Sequence, residues 1–219
     1  MAQGNSNKSS DADENTITLG VLTAIEEDDR ATQRAISEDL GIALGLTNAY
    51  LKRCVKKGFI KVRQIPANRY AYYLTPQGFA EKSRLTAEYL SISFNFFRSS
   101  RKQCAELFEI CDRNRWTRVA LAGCGDLAEI ATLCQREGSV VEIIGIINTM
   151  EEGDAPRWFA GLPVVDRLTD LAKVHAVIVT DIVNAQTVYD RLSKAIPPER
   201  LLAAPLLKVS RELPRLIDD

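Results

Sequence analysis

The chain has 219 residues, of which 46% are hydrophobic and 26% are charged, a composition typical of globular proteins. No stretch reaches the roughly 20 apolar residues of a membrane-spanning helix, and the amino terminus lacks the apolar centre of a signal peptide, so we expect a cytoplasmic protein without membrane association. The five cysteines form no CxxC pair and His175 is the single histidine, which disfavours disulfide frameworks, zinc sites and Ser/His/Asp catalysis. An enzyme is therefore the less favoured class.

Positive charge is concentrated in one segment. The net charge of −1 is made of +7 between Lys52 and Arg69, where there is no acid, and −8 in the rest of the chain. A local basic face of this kind is typical of proteins that contact nucleic acid. The alternative is a solvated helix face on a small protein-interaction domain.

The first half of the chain has the pattern of a winged helix. Residues 1–15 are small, polar and acidic, which predicts a disordered tail. Helical spacing begins at Thr16, and Thr32 and Gly41 are typical caps for the start and end of a short second helix. A basic third helix is predicted from Leu44 to Lys57, and two β-rich runs after Gly58 predict a hairpin. Helix, helix-turn-helix and hairpin together predict a winged helix over residues 16–75.

The third helix is the predicted recognition helix. Its predicted inward residues are Leu44, Thr47, Leu51 and Val55. On the outward side, Asn48 is a candidate for an adenine edge and Lys52 for guanine or phosphate, whereas the remaining cations are expected on phosphates. Asn48 could equally contact only water. The complete set of predicted DNA-binding residues is Leu46, Asn48, Ala49, Lys52, Arg53, Lys56, Lys61, Arg63 and Arg69.

A resemblance follows from the strings AISEDLGIALGLTNAYLKRCVKKGFIKV and LTPQGFAEKSRLT. Over about residues 16–100 the chain resembles winged-helix regulators of the MarR type that are associated with exopolysaccharide gene clusters. The resemblance implies a transcriptional regulator that binds double-stranded DNA. Ala43 departs from the pattern, because such turns commonly place Ser or Thr at that cap.

Residues 76–115 are predicted to form a helical linker and dimerisation segment. The apolar positions Leu85, Tyr89, Ile92 and Phe96 step by four, three and four, as in a coiled coil, and the pattern weakens at Ser99 and Ser100. We therefore predict one long or kinked helix pair. A homodimer is expected because helix-turn-helix proteins usually contact two half-sites, although the stripe could instead be core against the second domain.

The second half changes to strands that alternate with helices, which predicts a Rossmann-like parallel sheet over residues 116–210, followed by a C-terminal tail at 211–219. Strands are predicted at 118–123, 140–147, 174–180 and 201–207, and a helix at 185–195. The fold class is α/β: an N-terminal winged helix-turn-helix, a helical segment and this C-terminal domain.

The motif GCGDLA follows the first of these strands and begins a helix, a context in which backbone N–H groups can bind a phosphate. Ala128 replaces the third glycine, and Asn148 stands where NAD-binding folds commonly have a carboxylate. The glycines could instead serve only tight strand-to-helix packing. The predicted ligand-binding residues are Gly123, Cys124, Gly125, Asp126, Leu127, Asn148 and Thr180.

A second resemblance covers roughly residues 116–208. The strings VALAGCGDLAEIATLC and VVEIIGIINT, with the phrase GLPV at 161–164, resemble the Rossmann-like nucleotide-binding domain found beside sugar-phosphate transferases and nucleotide-sugar dehydratases of surface-polysaccharide pathways. The resemblance implies binding of a nucleotide-containing metabolite. No Tyr-xxx-Lys, nucleophile elbow or metal cluster accompanies it, which favours binding without turnover.

These patterns together predict a ligand-responsive transcriptional regulator acting on polysaccharide genes. A nucleotide sugar or an NAD(H)-type molecule is the suspected effector. A redox-sensing repressor that distinguishes NADH from NAD is a further hypothesis, and Asn148 counts against it. The alternative from a different class is a nucleotide-sugar-modifying enzyme with a DNA-binding appendage. No catalytic residue or metal ligand is predicted.

Overall fold

The computed structural model describes residues 6–65, 69–135, 139–150 and 155–210. The chain divides into two compact units, Met1–Phe94 and Asn95–Asp219. The predicted tail at 211–219 lies outside the described residues. Among the described residues, no helix combines the length and the apolar character needed to cross a bilayer.

The first unit is a winged helix-turn-helix. Its elements are α1 (Ser6–Glu27), α2 (Gln33–Asp39), α3 (Leu44–Lys56), β1 (Ile60–Ile65), β2 (Arg69–Leu74) and the first part of α4 (Pro76–Arg113). Strands β1 and β2 pair antiparallel, with Ile60 opposite Leu74 and Ile65 opposite Arg69, as the hairpin prediction required. The core of this unit consists of Val21, Leu22, Ile25, Ile36, Leu51, Cys54, Phe59, Ile60, Tyr72 and Leu85.

The caps of α2 confirm the sequence prediction. The Thr32 hydroxyl accepts a hydrogen bond from the Ala35 N–H at 3.1 Å, which satisfies one of the amides that a helix start leaves without an intrahelical partner. Gly41 follows the helix with φ of +60°, a conformation that favours glycine. Thr32 therefore stabilises the start of α2, and Gly41 sets the turn between α2 and α3.

The predicted disordered tail is wrong for residues 6–15, because α1 begins at Ser6. Three contacts of the first helix explain the difference: the Thr18 hydroxyl donates to the Glu14 carbonyl at 2.8 Å, Glu14 forms an ion pair with Arg53, and the Asn15 side chain donates to Glu88 at 3.3 Å. These contacts hold Glu14 and Asn15 in place, and the helix continues from there to Ser6 because extending an existing helix costs little. A prediction from the composition of residues 1–15 cannot take such contacts with distant residues into account.

The predicted inward face of α3 is also partly wrong. Thr47 and Leu51 are buried as predicted, but Cys54 completes the buried stripe, while Leu44 and Val55 are about 40% exposed. Successive residues point about 100° apart around a helix, so Cys54 and Val55 cannot both face the same core. The prediction favoured Val55, although a free cysteine is among the most frequently buried residue types.

Helix α4 is one continuous helix of 38 residues that passes through Ser99 and Ser100. The division between the two units falls within it, after Phe94, so the helical segment predicted as a separate region contributes to both units. Along the predicted stripe, Leu85 is buried, whereas Tyr89 and Ile92 are more than half exposed. Only part of the stripe is therefore buried within the chain.

The second unit is a sheet covered on both faces. Its strands are β3 (Arg118–Ala122), β4 (Glu142–Ile147), β5 (Trp158–Phe159), β6 (Leu162–Val165), β7 (Ala176–Val179) and β8 (Leu201–Ala203), in the spatial order β5-β6-β4-β3-β7-β8. In this spatial order, the five strands β6, β4, β3, β7 and β8 are parallel, and β5 pairs antiparallel to β6 at the edge. Alternate residues of β3 enter different cores: Val119 and Leu121 on one face, Ala120 and Ala122 on the other.

Two helices of this unit connect strands: α5 (Asp126–Thr132) follows β3, and α6 (Ala185–Leu192) follows β7. The regular strand-helix alternation is replaced between β6 and β7 by a short 3-10 turn, Leu168–Asp170. The last predicted strand is also shorter, because β8 ends at Ala203 and Pro205 begins another 3-10 turn. Proline has no N–H to continue a strand ladder.

Candidate functional site

The exposed face of α3 is narrow and basic. Gly45, Ala49, Lys52 and Lys56 follow each other at steps of four, three and four residues, opposite the buried stripe, and all four are exposed. The two residues nearest the helix start have almost no side chain, so a surface can approach the backbone closely there. The two lysines one and two turns later supply positive charge. This geometry suits the major groove of a duplex, which admits one helix.

Seven of the nine predicted DNA-binding side chains are exposed: Leu46, Ala49, Lys52, Arg53, Lys56, Lys61 and Arg63. The side chain of Arg69 lies outside the described residues. Asn48 is half-buried, and its Oδ1 atom is buried with no hydrogen-bond partner among the residues that the structure describes. One end of the amide is thus directed into the protein, whereas recognition of adenine needs both ends.

Arg53 has partners within its own unit. Its guanidinium forms an ion pair with Glu14 of α1 and lies 5.2 Å from the centre of the Tyr50 ring. The hydrogen bond and charge of Glu14 raise the pKa of Arg53 above its ordinary value. Sequence reasoning missed Glu14, because it placed residues 1–15 outside the folded domain.

The wing presents two further cations. Lys61 and Arg63 alternate along β1, opposite Tyr73 and Ala71 of β2, and both are exposed. Residues two apart on a strand point to the same face. The hairpin therefore carries two positive charges on one face, in the same unit as α3.

Comparison with known families agrees with this geometry. Residues 14–61 match the model of a winged helix-turn-helix DNA-binding family. The N-terminal unit has a winged helix-turn-helix fold, and over residues 14–61 it is similar to this DNA-binding family. The match spans most of α1, both helices of the helix-turn-helix and the first residues of β1. A search of curated protein sequences found no match to the chain.

A second candidate site lies at the carboxyl end of the parallel sheet in the other unit. Strand β3 is flanked by β4 and β7, and the strand order reverses direction between β3 and β7. In open α/β sheets, ligands bind in the crevice at such a switch point. The glycine turn after β3 and Thr180 after β7 both lie at this edge.

The two glycines of the turn have different environments. Gly123 has φ of +112°, and a Cβ atom there would lie 2.7 Å from the backbone nitrogen of Asp181. The Thr180 hydroxyl also donates to the Gly123 carbonyl at 2.8 Å. Gly123 is therefore required by tight packing between the ends of β3 and β7, as the packing alternative proposed.

Gly125 has no such constraint. Its φ of 177° is extended backbone that any residue can adopt, and a Cβ atom would meet nothing within 4 Å. It is the N-cap of α5 and provides no side-chain cap for the amides of the first turn. Among the described residues, the space over this helix start is open, so neither their packing nor the backbone conformation explains a glycine at 125.

The other predicted ligand-binding residues are divided between surface and core. Asp126 is exposed in the first turn of α5, while Leu127 is fully buried. Cys124 is half-buried, and burial raises the pKa of its thiol. Asn148 is buried and holds its own loop: its Nδ2 donates to Asp166 at 3.0 Å and its Oδ1 accepts the Met150 N–H at 2.8 Å. Its amide is thus used within the protein.

Two carboxylates at this edge were missed by sequence reasoning. Asp166 follows β6, and Asp181 follows Thr180 after β7. Each is the first acid after an apolar strand, and this position could have identified both residues from the sequence. Asp181 accepts hydrogen bonds from the Thr149 hydroxyl and the Asn184 N–H, both at 2.7 Å. Carboxylates accept hydrogen bonds from sugar hydroxyls and repel phosphate, so the positions beside Asp166 and Asp181 suit hydroxyl groups better than phosphates.

Proposed function

We propose that the chain is a transcriptional regulator that binds duplex DNA through its N-terminal unit. The observation that carries the proposal is the match of residues 14–61 to a winged helix-turn-helix DNA-binding family, on a unit whose recognition helix exposes Lys52 and Lys56. In this proposal α3 enters the major groove with Gly45 and Ala49 closest to the bases. Phosphate contacts come from the cations of α3 and the wing.

The residues have different roles in this proposal. Lys52 lies centrally on the exposed face and contacts guanine or phosphate, and Lys61 and Arg63 contact phosphates. Arg53 is already paired with Glu14, so its phosphate contact requires breaking or sharing that ion pair. Asn48 reaches a base with one end of its amide at most.

We further propose that two copies associate through α4. Tyr89, Leu90, Ile92 and Phe94 are large apolar side chains within six residues, and their exposed fractions are 44–57%. Among them Tyr89 and Ile92, three residues apart, lie on one side of the helix and offer an apolar surface to a second helix. A second copy is the occupant because paired DNA half-sites are matched by a two-fold symmetric dimer.

The C-terminal unit is proposed to bind a nucleotide-containing effector, either a nucleotide sugar or an NAD(H)-type dinucleotide. The open space at Gly125 supports a phosphate near the start of α5, and the carboxylates after β6 and β7 support recognition of hydroxyl groups. Control of polysaccharide genes rests on the family resemblance. Binding without turnover remains the proposal for this unit.

DNA binding is tested with a duplex from the region upstream of the gene and a random duplex of the same length. The wild-type affinity should fall steeply with salt, and Lys52→Ala should weaken binding by about tenfold and reduce the salt slope by about 0.9. Lys194→Ala, which removes an exposed lysine from the other unit, is the matched control. Equal effects of the two variants would contradict a role for α3.

The effector is tested separately by thermal shift with NAD(H) and a panel of nucleotide sugars. A molecule that binds only the folded protein must raise its melting temperature. The absence of any shift across the panel would contradict the sensor proposal and leave DNA binding unaffected.

A further inference from the structure

Two cysteines of the C-terminal unit lie next to each other. Cys104 of α4 is 1% exposed, and Cys134, in the turn after α5, is 8% exposed. Both belong to the same buried core cluster. The Cys134 sulfur also lies 3.4 Å from the carbonyl oxygen of Arg101, one turn before Cys104 on α4. Cys134 therefore packs against the turn of α4 that carries Cys104.

One of the two cysteines borders a groove that opens to solvent. Cys134 forms part of the wall of an open groove of about 580 Å³ between α4 and the end of α5, and Cys104 lies in the hydrophobic core. The groove is lined by three cations and by two partly exposed apolar side chains. These residues are Arg98, Arg101, Lys102, Phe97 and Leu133.

The electrostatic environment distinguishes the two thiols. The neighbouring Cys104 thiol and the charge of Arg101 lower the pKa of Cys134, against the opposing effect of burial. By contrast, burial raises the pKa of Cys111, on the same helix, to about 12. The thiolate is the form of cysteine that reacts as a nucleophile. Cys134 also lines the groove, whereas Cys104 and Cys111 are at most 1% exposed, so a reagent meets Cys134 first and Cys111 is a suitable comparison.

We propose that Cys134 is a site of oxidation by hydroperoxides and that Cys104 converts the product to a disulfide. The Cys134 thiolate attacks the terminal oxygen of the hydroperoxide, the O–O bond breaks, and the alkoxide leaves and takes a proton to become an alcohol. Sulfur is oxidised to the sulfenic acid and the peroxide is reduced. The Cys104 thiol then attacks this sulfur, the S–S bond forms, the S–O bond breaks, and water leaves with the proton of Cys104.

The lining of the groove indicates the class of hydroperoxide. Three cations attract an anionic group, and Phe97 and Leu133 provide apolar contact. An organic hydroperoxide with a carboxylate, such as a fatty-acid hydroperoxide, matches both features, whereas hydrogen peroxide uses neither. The proposal is independent of DNA binding and of the glycine turn.

The full chain is reduced, treated with a fatty-acid hydroperoxide or hydrogen peroxide, and analysed by intact mass and non-reducing peptide mapping. The expected result is a loss of about 2 Da with a peptide linking Cys104 to Cys134, and a rate about tenfold higher with the fatty-acid hydroperoxide. A link between other cysteines would overturn the proposal, and equal rates with the two peroxides would overturn recognition by the groove. Both results come from the unaltered chain.

Variants identify the role of each sulfur. Cys104→Ala should stop at the sulfenic acid, about 16 Da heavier and trapped by dimedone, and Cys134→Ala should not react. Cys111→Ala is the matched control and should oxidise as the wild type does. A Cys134→Ala chain that still loses about 2 Da at the wild-type rate would overturn the assignment.

Discussion

Arg53 on the recognition helix is held by Glu14, a residue of the first helix that lies upstream of the predicted domain. The ion pair places a carboxylate beside the surface that is proposed to face DNA phosphates. Because both side chains are partly exposed, the pair contributes little to the free energy of unfolding. Its larger effect is on the charge that approaching DNA meets.

Glu14→Gln should increase the affinity for duplex DNA by about threefold at low salt, because it removes a negative charge near the phosphates and releases Arg53. The measurement is a fluorescence anisotropy titration at several salt concentrations. Glu26→Gln is the matched control, since Glu26 also belongs to α1 but pairs with Lys82. A lower affinity for Glu14→Gln would instead mean that the ion pair positions Arg53 for its phosphate.

Asn48→Ala should leave the free energy of unfolding unchanged or raise it by up to about 1 kcal/mol, because it removes a buried oxygen that has no hydrogen-bond partner. On the specific duplex it should weaken binding by roughly 1 kcal/mol more than on random DNA if the amide nitrogen contacts a base. Urea unfolding and parallel DNA titrations give the two quantities.

Arg63→Ala serves as the comparison for Asn48, since a phosphate contact should weaken both duplexes by the same factor. Equal losses on the two duplexes for Asn48→Ala would remove it from base recognition.

Ile92→Asp should convert a dimer to a monomer with little change in the stability of the protomer, because Ile92 is 57% exposed in the chain itself. Leu85→Ala is the contrasting variant: Leu85 is buried, so its loss should lower the free energy of unfolding by about 2–5 kcal/mol. Light scattering and urea unfolding separate the two effects. A wild-type monomer at micromolar concentration that still binds DNA would contradict the dimer.

Gly125→Val should fold normally and lose the thermal shift caused by the effector, because the new side chain occupies open space over the start of α5. Gly123→Ala should instead destabilise the C-terminal unit, since its Cβ atom would lie 2.7 Å from the Asp181 backbone at a φ of +112°. Thermal unfolding with and without the effector distinguishes the two variants. A folded Gly125→Val protein with the wild-type shift would contradict phosphate binding at this turn.

Local patterns were sufficient for much of the fold. The cap formed by Thr32, the glycine at 41 and the alternation of apolar residues in the strands each depend on neighbours a few residues away, so the winged helix and the parallel sheet could be predicted from them. The same applies to the exposed cations of α3 and the wing, because helix and strand periods alone place them on the outside.

The sequence by itself determined the element order, the basic face of α3 and the position of the glycine turn, since these depend on periodicity and on local backbone conformation. Only the tertiary structure decided which partners meet across long separations: Glu14 with Arg53, Asn148 with Asp166, and Cys104 with Cys134. It also decided that Gly123 packs against Asp181 while Gly125 faces open space. Such contacts follow from how elements pack together, and no pattern of neighbouring residues encodes them.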